Sequence, residues 1–264
     1  MKKLIAIVAG EPNSINSEII VKTWKKIRNT KNFFVIGNYS ILKKQINEIG
    51  QNIKISKINS INELSIKENL NILDVPLKFK SSFIASANNT KEYVLKSLDV
   101  AHGLAMNKLI KGFVNLPINK KILSNKYLGV TEYLAFKNNV EGKEVMMIYN
   151  KKMSVVPLTT HLEVKNITEK IKPSLIKAKM ISLNRGYKKL FKKKPAIAVL
   201  GLNPHNSENR KNSIENKVIK PALIYLKKLG LNIRGPFPAD TIFNIQKKLK
   251  YFKRISKCKI WTIL

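Results

Sequence analysis

The sequence predicts an α/β protein with a mostly parallel sheet, and three observations carry that expectation. Short apolar runs alternate with longer stretches of helical periodicity, the signature of βαβ units. Several of the runs are continuously apolar, as strands covered on both faces by crossover helices must be. Gly10, Gly37 and Pro117 each close one of them, where a parallel strand would turn toward its crossover.

Leu4-Ile5-Ala6-Ile7-Val8-Ala9 is the first expected strand, and Phe33-Phe34-Val35-Ile36 is the second. Residues 51–87 are polar and weakly patterned, and yield no clear element. A helix is expected from about Asn89, an N-cap candidate with Glu92 three residues on. Val94, Leu98, Ala101 and Ala105 recur along it at helical spacing, and Gly112 is its natural stop. Phe113-Val114 opens a strand that ends at Leu116-Pro117. In the second half, residues 145–148, 154–158 and 196–200 read as buried strands. A helix over about 167–185 has Pro173 as a bend or as its true first turn. Another runs over about 213–229, with Pro221 as a kink point and Gly230 as its stop. Beyond Phe243 the pattern gives way to a stretch with seven basic residues and no acidic one.

Composition bounds the function. The 264 residues are 44% hydrophobic, enough for one large domain or two lobes. No apolar run approaches the roughly 18–20 residues of a membrane span, so the expected location is cytoplasmic. Cys258 is the one cysteine, which excludes an internal disulfide and a multi-thiolate zinc site. The formal charge is +34, from 50 basic against 16 acidic residues. A nucleic-acid binder would explain that number, but only five of the 50 are arginines and the lysines are spread along the chain. Readers of phosphates and bases favour the forked guanidinium, and nucleic acid is not the expected partner.

Two histidines stand out by position. His161 follows Val155-Val156-Pro157-Leu158-Thr159-Thr160, and His205 follows Val199-Leu200-Gly201-Leu202-Asn203-Pro204. Each lies just past the carboxyl end of an expected buried strand, where open α/β sheets bind ligands. Imidazole is the commonest protein metal ligand, so the two are candidates to share a divalent cation; the alternative is a pair of strand-end histidines bonded to loop backbone. Lys120 lies at a strand-to-helix junction and suits a phosphate or carboxylate, or is a solvated surface lysine. Thr131, in Gly129-Val130-Thr131-Glu132, offers a hydroxyl to a ligand or caps the following helix. In Gly235-Pro236-Phe237-Pro238-Ala239-Asp240-Thr241, two prolines are expected to fix a rigid loop that presents the Asp240 carboxylate. Neither a dinucleotide G-x-G-x-x-G nor a phosphate-binding P-loop occurs.

In order, Gly10-Glu11-Pro12, Pro117-Ile118-Asn119-Lys120, Gly129 to Ala135, Thr159-Thr160-His161-Leu162, Gly201-Leu202-Asn203-Pro204-His205 and Gly235 to Thr241 resemble the 4-hydroxythreonine-4-phosphate dehydrogenase family. The resemblance implies a two-lobed α/β/α sandwich related to isocitrate and isopropylmalate dehydrogenases, with a cleft between lobes and a homodimeric assembly. The implied lobes are residues 1–125 and 126–245, the second carrying the metal-site histidines, followed by an atypical basic tail over 246–264. The implied reaction oxidises the hydroxyl of a small phosphorylated hydroxy amino acid, 4-phosphooxy-L-threonine, with NAD or NADP. The β-keto acid formed then loses carbon dioxide to give 3-amino-2-oxopropyl phosphate. A divalent metal (zinc, magnesium, cobalt or manganese) assists. By the resemblance, His161 and His205 are metal ligands, Thr131 is a substrate contact, and Asp240 and Lys120 are active-site residues.

Departures from the family pattern accompany these matches. The glycine-rich first loop reads Asn13-Ser14-Ile15-Asn16-Ser17, and Val130 stands where the family has a substrate-contacting histidine. The family's later Tyr-His-Asp-Gln segment, with a third metal histidine, does not occur. The expectation is therefore a C-terminally shortened chain with an impaired site. The other readings are a non-catalytic remnant of the fold and a basic nucleic-acid-binding protein. Metal affinity and turnover separate the first from the enzyme, and steep salt dependence would mark the second.

Overall fold

The protein is described by a computed structural model that covers residues 4–29, 32–64, 69–123, 127, 129–150, 153–160, 162–240 and 260–263. It divides into two compact units, Met1–Tyr133 and Leu134–Leu264.

The first unit is wound around five strands: β1 (Ile5–Val8), β2 (Phe33–Gly37), β3 (Ile55–Ile58), β4 (Leu70–Asp74) and β5 (Gly112–Asn115), in the order β3-β4-β2-β1-β5. Every pairing is parallel, so all five carboxyl ends lie along one edge. Phe34, Val35 and Ile36 are fully buried, and Ile20, Trp24, Ile41 and Leu70 cluster with Val35. Helices α1 (Asn16–Ile27), α2 (Tyr39–Glu48) and α3 (Ala87–Met106) bury one face each. Their starts are set by side chains: Asn38 accepts from the Ile41 amide and Ser86 from the Asn89 amide, satisfying donors that a helix N-terminus leaves open. Helix α4 (Val130–Lys137) begins at the end of this unit.

The second unit has four parallel strands, β6 (Ser154–Pro157), β7 (Ile197–Leu200), β8 (Ile233–Phe237) and β9 (Ile260–Ile263), in the order β6-β9-β7-β8. Helices α5 (Val164–Lys170), α6 (Pro173–Phe191) and α7 (Lys220–Lys228) accompany them, with a π-turn at Glu215–Ile219 leading into α7. Val156, Met180, Ile197, Val199, Ile219, Leu226 and Ile260 are fully buried in one cluster. Among the described residues no helix is long and apolar enough to cross a membrane.

The structure corrects several sequence expectations. Strands β3 and β4 occupy the stretch that looked featureless. Ser86, not Asn89, caps α3, and that helix stops at Met106, leaving Gly112 to open β5. Residues 145–148 form no strand: Ile148 is 63% exposed and makes one antiparallel bridge to Val155. Gly235-Pro236-Phe237 belongs to β8 and is not a free loop; Pro236 is tolerated because β8 is an edge strand with one side needing no ladder donor. Within the expected basic tail, Ile260–Ile263 forms β9 between β6 and β7. Pro173 is the first residue of α6, which settles its role as a first-turn residue.

Because Ile260 is buried in a central strand, Ile260→Ala should destabilise the second unit by about 2–4 kcal/mol in chemical denaturation. An unchanged midpoint would mean that β9 does not occupy the centre of that sheet.

Candidate functional site

In the first unit, the pairing of β1 with β5 brings the loops after these strands together at the sheet's carboxyl edge. Asn16, buried at the start of α1, ties them. Its Nδ2 donates to the carbonyls of Ala9 (2.9 Å), Glu11 (3.2 Å) and Pro117 (2.9 Å). The approach is close enough to demand Gly10, whose φ is +70° and whose added Cβ would lie 2.7 Å from both Asn16 Nδ2 and the Pro117 oxygen. Other side-chain amides extend the fastening: Asn13 exchanges two 2.9 Å bonds with Ala85, and Gln45 donates to the carbonyls of Pro12 and Ser82. The Asn119 amide donates to Glu11 Oε2 at 3.0 Å, which places the Glu11 carboxylate beside the turn carrying Lys120.

Lys120 is exposed and opens a short 3-10 turn, Lys120–Leu123. Val130 is half-buried and Thr131 exposed; they are the first two residues of α4, so Thr131 sits inside the first turn and not at its cap. Tyr133 holds that turn in place. Its hydroxyl donates to Asp99 Oδ1 on α3 at 2.5 Å, and its ring meets Tyr127 edge-on. Burial, then the bond to Asp99, pushes the phenol pKa well above its ordinary range.

In the second unit the loop after β7 is built around Glu215. This carboxylate is fully buried. Its Oε1 accepts from the amides of Leu202 (3.1 Å) and Asn203 (2.9 Å) and from Asn203 Nδ2 (3.1 Å), while Oε2 accepts from Ser207 Oγ at 3.1 Å. Burial works against the ionised form, but the hydrogen bonds from Asn203 and Ser207, with one from its own amide, outweigh it and lower the carboxyl pKa. The held segment is unusual. His205, Asn206, Ser207 and Glu208 all have φ between +50° and +53°, a left-handed turn costing non-glycine residues roughly 1–2 kcal/mol each. Asn206 reaches across to β8, its Nδ2 donating to the Pro236 carbonyl at 3.1 Å. Gly201 makes room for it, since a Cβ there would lie 2.0 Å from Asn206 Oδ1.

The turn delivers the imidazole. His205 Nδ1 lies 3.0 Å from Asp240 Oδ2, with the two side chains 65% and 35% exposed. Donation from Nδ1–H to the carboxylate leaves the Nε2 lone pair for a ligand, the arrangement by which carboxylates orient metal-binding histidines. The structure thus joins His205 to Asp240, and places Lys120, Val130 and Thr131 in the first unit; His161 lies outside the described residues. Among the described residues no group of three His, Cys, Asp or Glu is placed to hold a metal ion. The chemistry of the His205–Asp240 pair suits a divalent cation, but the described part of the site contributes one free imidazole nitrogen.

Sequence reasoning missed Glu215, Asn16 and Gln45. Their available signal is polarity within otherwise apolar helical faces: Glu215 follows Ile214 and precedes Val218 and Ile219, and Gln45 lies between Leu42 and Ile46. That pattern marks a buried polar group without naming its partners.

Comparison with known proteins gives a consistent neighbourhood. The family described as "Pyridoxal phosphate biosynthetic protein PdxA" matches residues 29–255. A 4-hydroxythreonine-4-phosphate dehydrogenase of Sulfurihydrogenibium sp. is 32% identical over 254 residues, covering 92% of this chain and 76% of that protein. One from Hydrogenobaculum sp. is 33% identical over 250 residues, covering 93% and 77%. The crystal structure of 4-hydroxythreonine-4-phosphate dehydrogenase from Klebsiella pneumoniae superposes with a TM-score of 0.86 over 98% of this chain and 80% of that one, at 23% identity.

Two outcomes are expected. Asn16→Ala leaves loop carbonyls without their donor and should cost about 1–3 kcal/mol of stability by thermal or urea unfolding; a loss within about 0.5 kcal/mol would show that the amide fastens nothing. Glu215 has a folded pKa below its ordinary 4.5, so its contribution is complete above that value and fades as pH falls through the folded one. Exchange protection of the Leu202 and Asn203 amides should therefore persist through pH 4.5 and collapse only at lower pH. In Glu215→Gln that acid transition should be missing. Loss of wild-type protection already above pH 4.5 would contradict the assignment.

Proposed function

Because this chain belongs to the PdxA family of pyridoxal phosphate biosynthetic proteins, we propose that it is a 4-hydroxythreonine-4-phosphate dehydrogenase. It oxidises the secondary hydroxyl of 4-phosphooxy-L-threonine with NAD or NADP to 2-amino-3-oxo-4-phosphooxybutanoate, which decarboxylates to 3-amino-2-oxopropyl phosphate. The observation that carries the reading is the His205–Asp240 pair at 3.0 Å, on loops that follow adjacent strands at the carboxyl edge of a parallel sheet, where such sheets bind ligands.

Each residue's part follows from its chemistry. Asp240 holds the imidazole of His205 in one tautomer, so that Nε2 is presented as a lone-pair donor. His205, together with His161, would hold a divalent cation. When bound, such an ion polarises the substrate hydroxyl and stabilises the negative charge that oxidation and decarboxylation develop. Lys120 is the proposed cation for the substrate's phosphate or carboxylate, and Thr131 supplies a hydroxyl contact from the first turn of α4. Val130 supplies shape and no hydrogen bond, so the family's histidine contact has no counterpart at this position.

A second reading, a member that keeps the fold without turnover, is favoured by Val130 and by the amide-filled loop of Asn13 and Asn16. Turnover decides between them. The protein supplied with 4-phosphooxy-L-threonine, NAD or NADP and zinc, cobalt, magnesium or manganese should form reduced nicotinamide. His205→Ala should lose at least about 100-fold in kcat/KM, and Asp240→Asn about 10–100-fold, the range for partners that orient a metal-binding imidazole. Absence of turnover with every metal and both dinucleotides would overturn the enzymatic reading.

A further inference from the structure

We infer that Glu215 is a positioning residue for the His205–Asp240 pair, acting through the left-handed turn that carries the imidazole. The inference rests on the role proposed above for that pair. A buried carboxylate is costly to keep ionised, and this one is held by neutral amides and a hydroxyl. An apolar side chain would fill the same space at lower cost. What the carboxylate does that an apolar group cannot is gather donors from both sides of His205: Leu202 and Asn203 precede the histidine, and Ser207 follows it. With both flanks fixed, the residues between them have one way to close, through the φ near +50° seen at His205 and Asn206.

The second half of the device points the same way. Asn206, adjacent to His205, donates to the Pro236 carbonyl, which ties the turn to β8, the strand that leads to Asp240. One carboxylate thus sets the turn, and the turn's own side chains register it on the neighbouring strand. Relaxing Glu215 frees the flanks, lets residues 205–208 return toward ordinary right-handed or extended backbone, and moves the imidazole off Asp240. The Glu215 side chain bonds Leu202, Asn203 and Ser207, and neither His205 nor Asp240, so its effect on the pair runs through geometry.

The chain has only three histidines, so ring 1H–15N spectra at neutral pH can isolate His205. Glu215→Gln keeps the shape of the side chain but turns one acceptor into a donor facing donors. In the folded variant, the His205 ring signals should move to the position they take in Asp240→Ala, because both changes remove the bond from Nδ1–H to the residue 240 side chain. In the turnover assay kcat should fall about 10–100-fold with the KM for the dinucleotide unchanged, a split that general loosening of the fold would not produce. A folded Glu215→Gln protein with wild-type His205 signals would overturn the inference. If Glu215→Gln does not fold, Ser207→Ala, which removes one donor, takes its place: a shift toward the Asp240→Ala spectrum supports the inference and a wild-type spectrum overturns it. If the wild type shows no turnover while Glu215→Gln still shifts the signals, the functional reading falls and the positioning role stands.

Discussion

The four donors gathered by the Glu215 carboxylate fix the backbone on both sides of His205, and much of the second unit's ligand edge depends on that fixation. A left-handed run of four non-glycine residues has no local reason to form; in isolation it would unwind, releasing several kcal/mol, on the order of 1–2 per residue. Charge-assisted hydrogen bonds inside a protein are worth about 1.5–3 kcal/mol each, so a carboxylate collecting several of them is of the right size to hold such a turn. The placement of Glu215 at the π-turn before α7 matters for the same reason. The first residues of this element lie next to the carboxyl end of β7, and from there the side chain can reach the loop.

The first unit solves a similar problem mainly with neutral amides. Its loops after β1 and β5 meet because those strands are neighbours, and they are fastened by amide side chains, chiefly Asn16, to backbone carbonyls. A carboxylate could not hold these carbonyls, which are acceptors; Glu11 meets instead a donor on the neighbouring loop, the Asn119 amide. At the edge of β7 the groups to be held are amide and hydroxyl donors, and a carboxylate is the matching choice. Local hydrogen-bond polarity therefore accounts for which residue type stands at each loop, and the chain's large positive charge plays no part in either.

The sequence made the buried strands legible wherever burial on both faces leaves a continuous apolar run, as at Ile5–Val8, Phe33–Gly37 and Ile197–Leu200. It hid β3 and β4 because Ser56, Lys57 and Asn71 interrupt the apolar pattern at positions where the sheet tolerates polar groups. It suggested a strand at 145–148, where an apolar run instead lies partly exposed. It also concealed the strand identity of 233–237, because glycine and proline signal a turn unless the strand lies at a sheet edge. At the site, His205 was visible from its place after an expected strand and Asp240, 35 residues on, from its two-proline segment; that they touch is a consequence of β7 and β8 being adjacent, which no local pattern encodes. Glu215 was invisible because its significance lies in the partners brought to it by a turn whose backbone conformation the residue types do not announce.

Taken together, a parallel sheet provides the ligand edge, a buried carboxylate shapes the loop on that edge, and the loop presents an imidazole oriented by Asp240. Membership of the PdxA family supplies the chemistry for which this arrangement is proposed. The most direct measurement is a crystal structure of the protein with 4-phosphooxy-L-threonine and zinc, the ion located by anomalous scattering. The account predicts the ion about 2.0–2.1 Å from His205 Nε2, with Nδ1 still on Asp240 and the Glu215 bonds to Leu202, Asn203 and Ser207 intact. An ion bound away from His205, or a 205–208 turn in ordinary right-handed backbone with Glu215 turned to solvent, would contradict it.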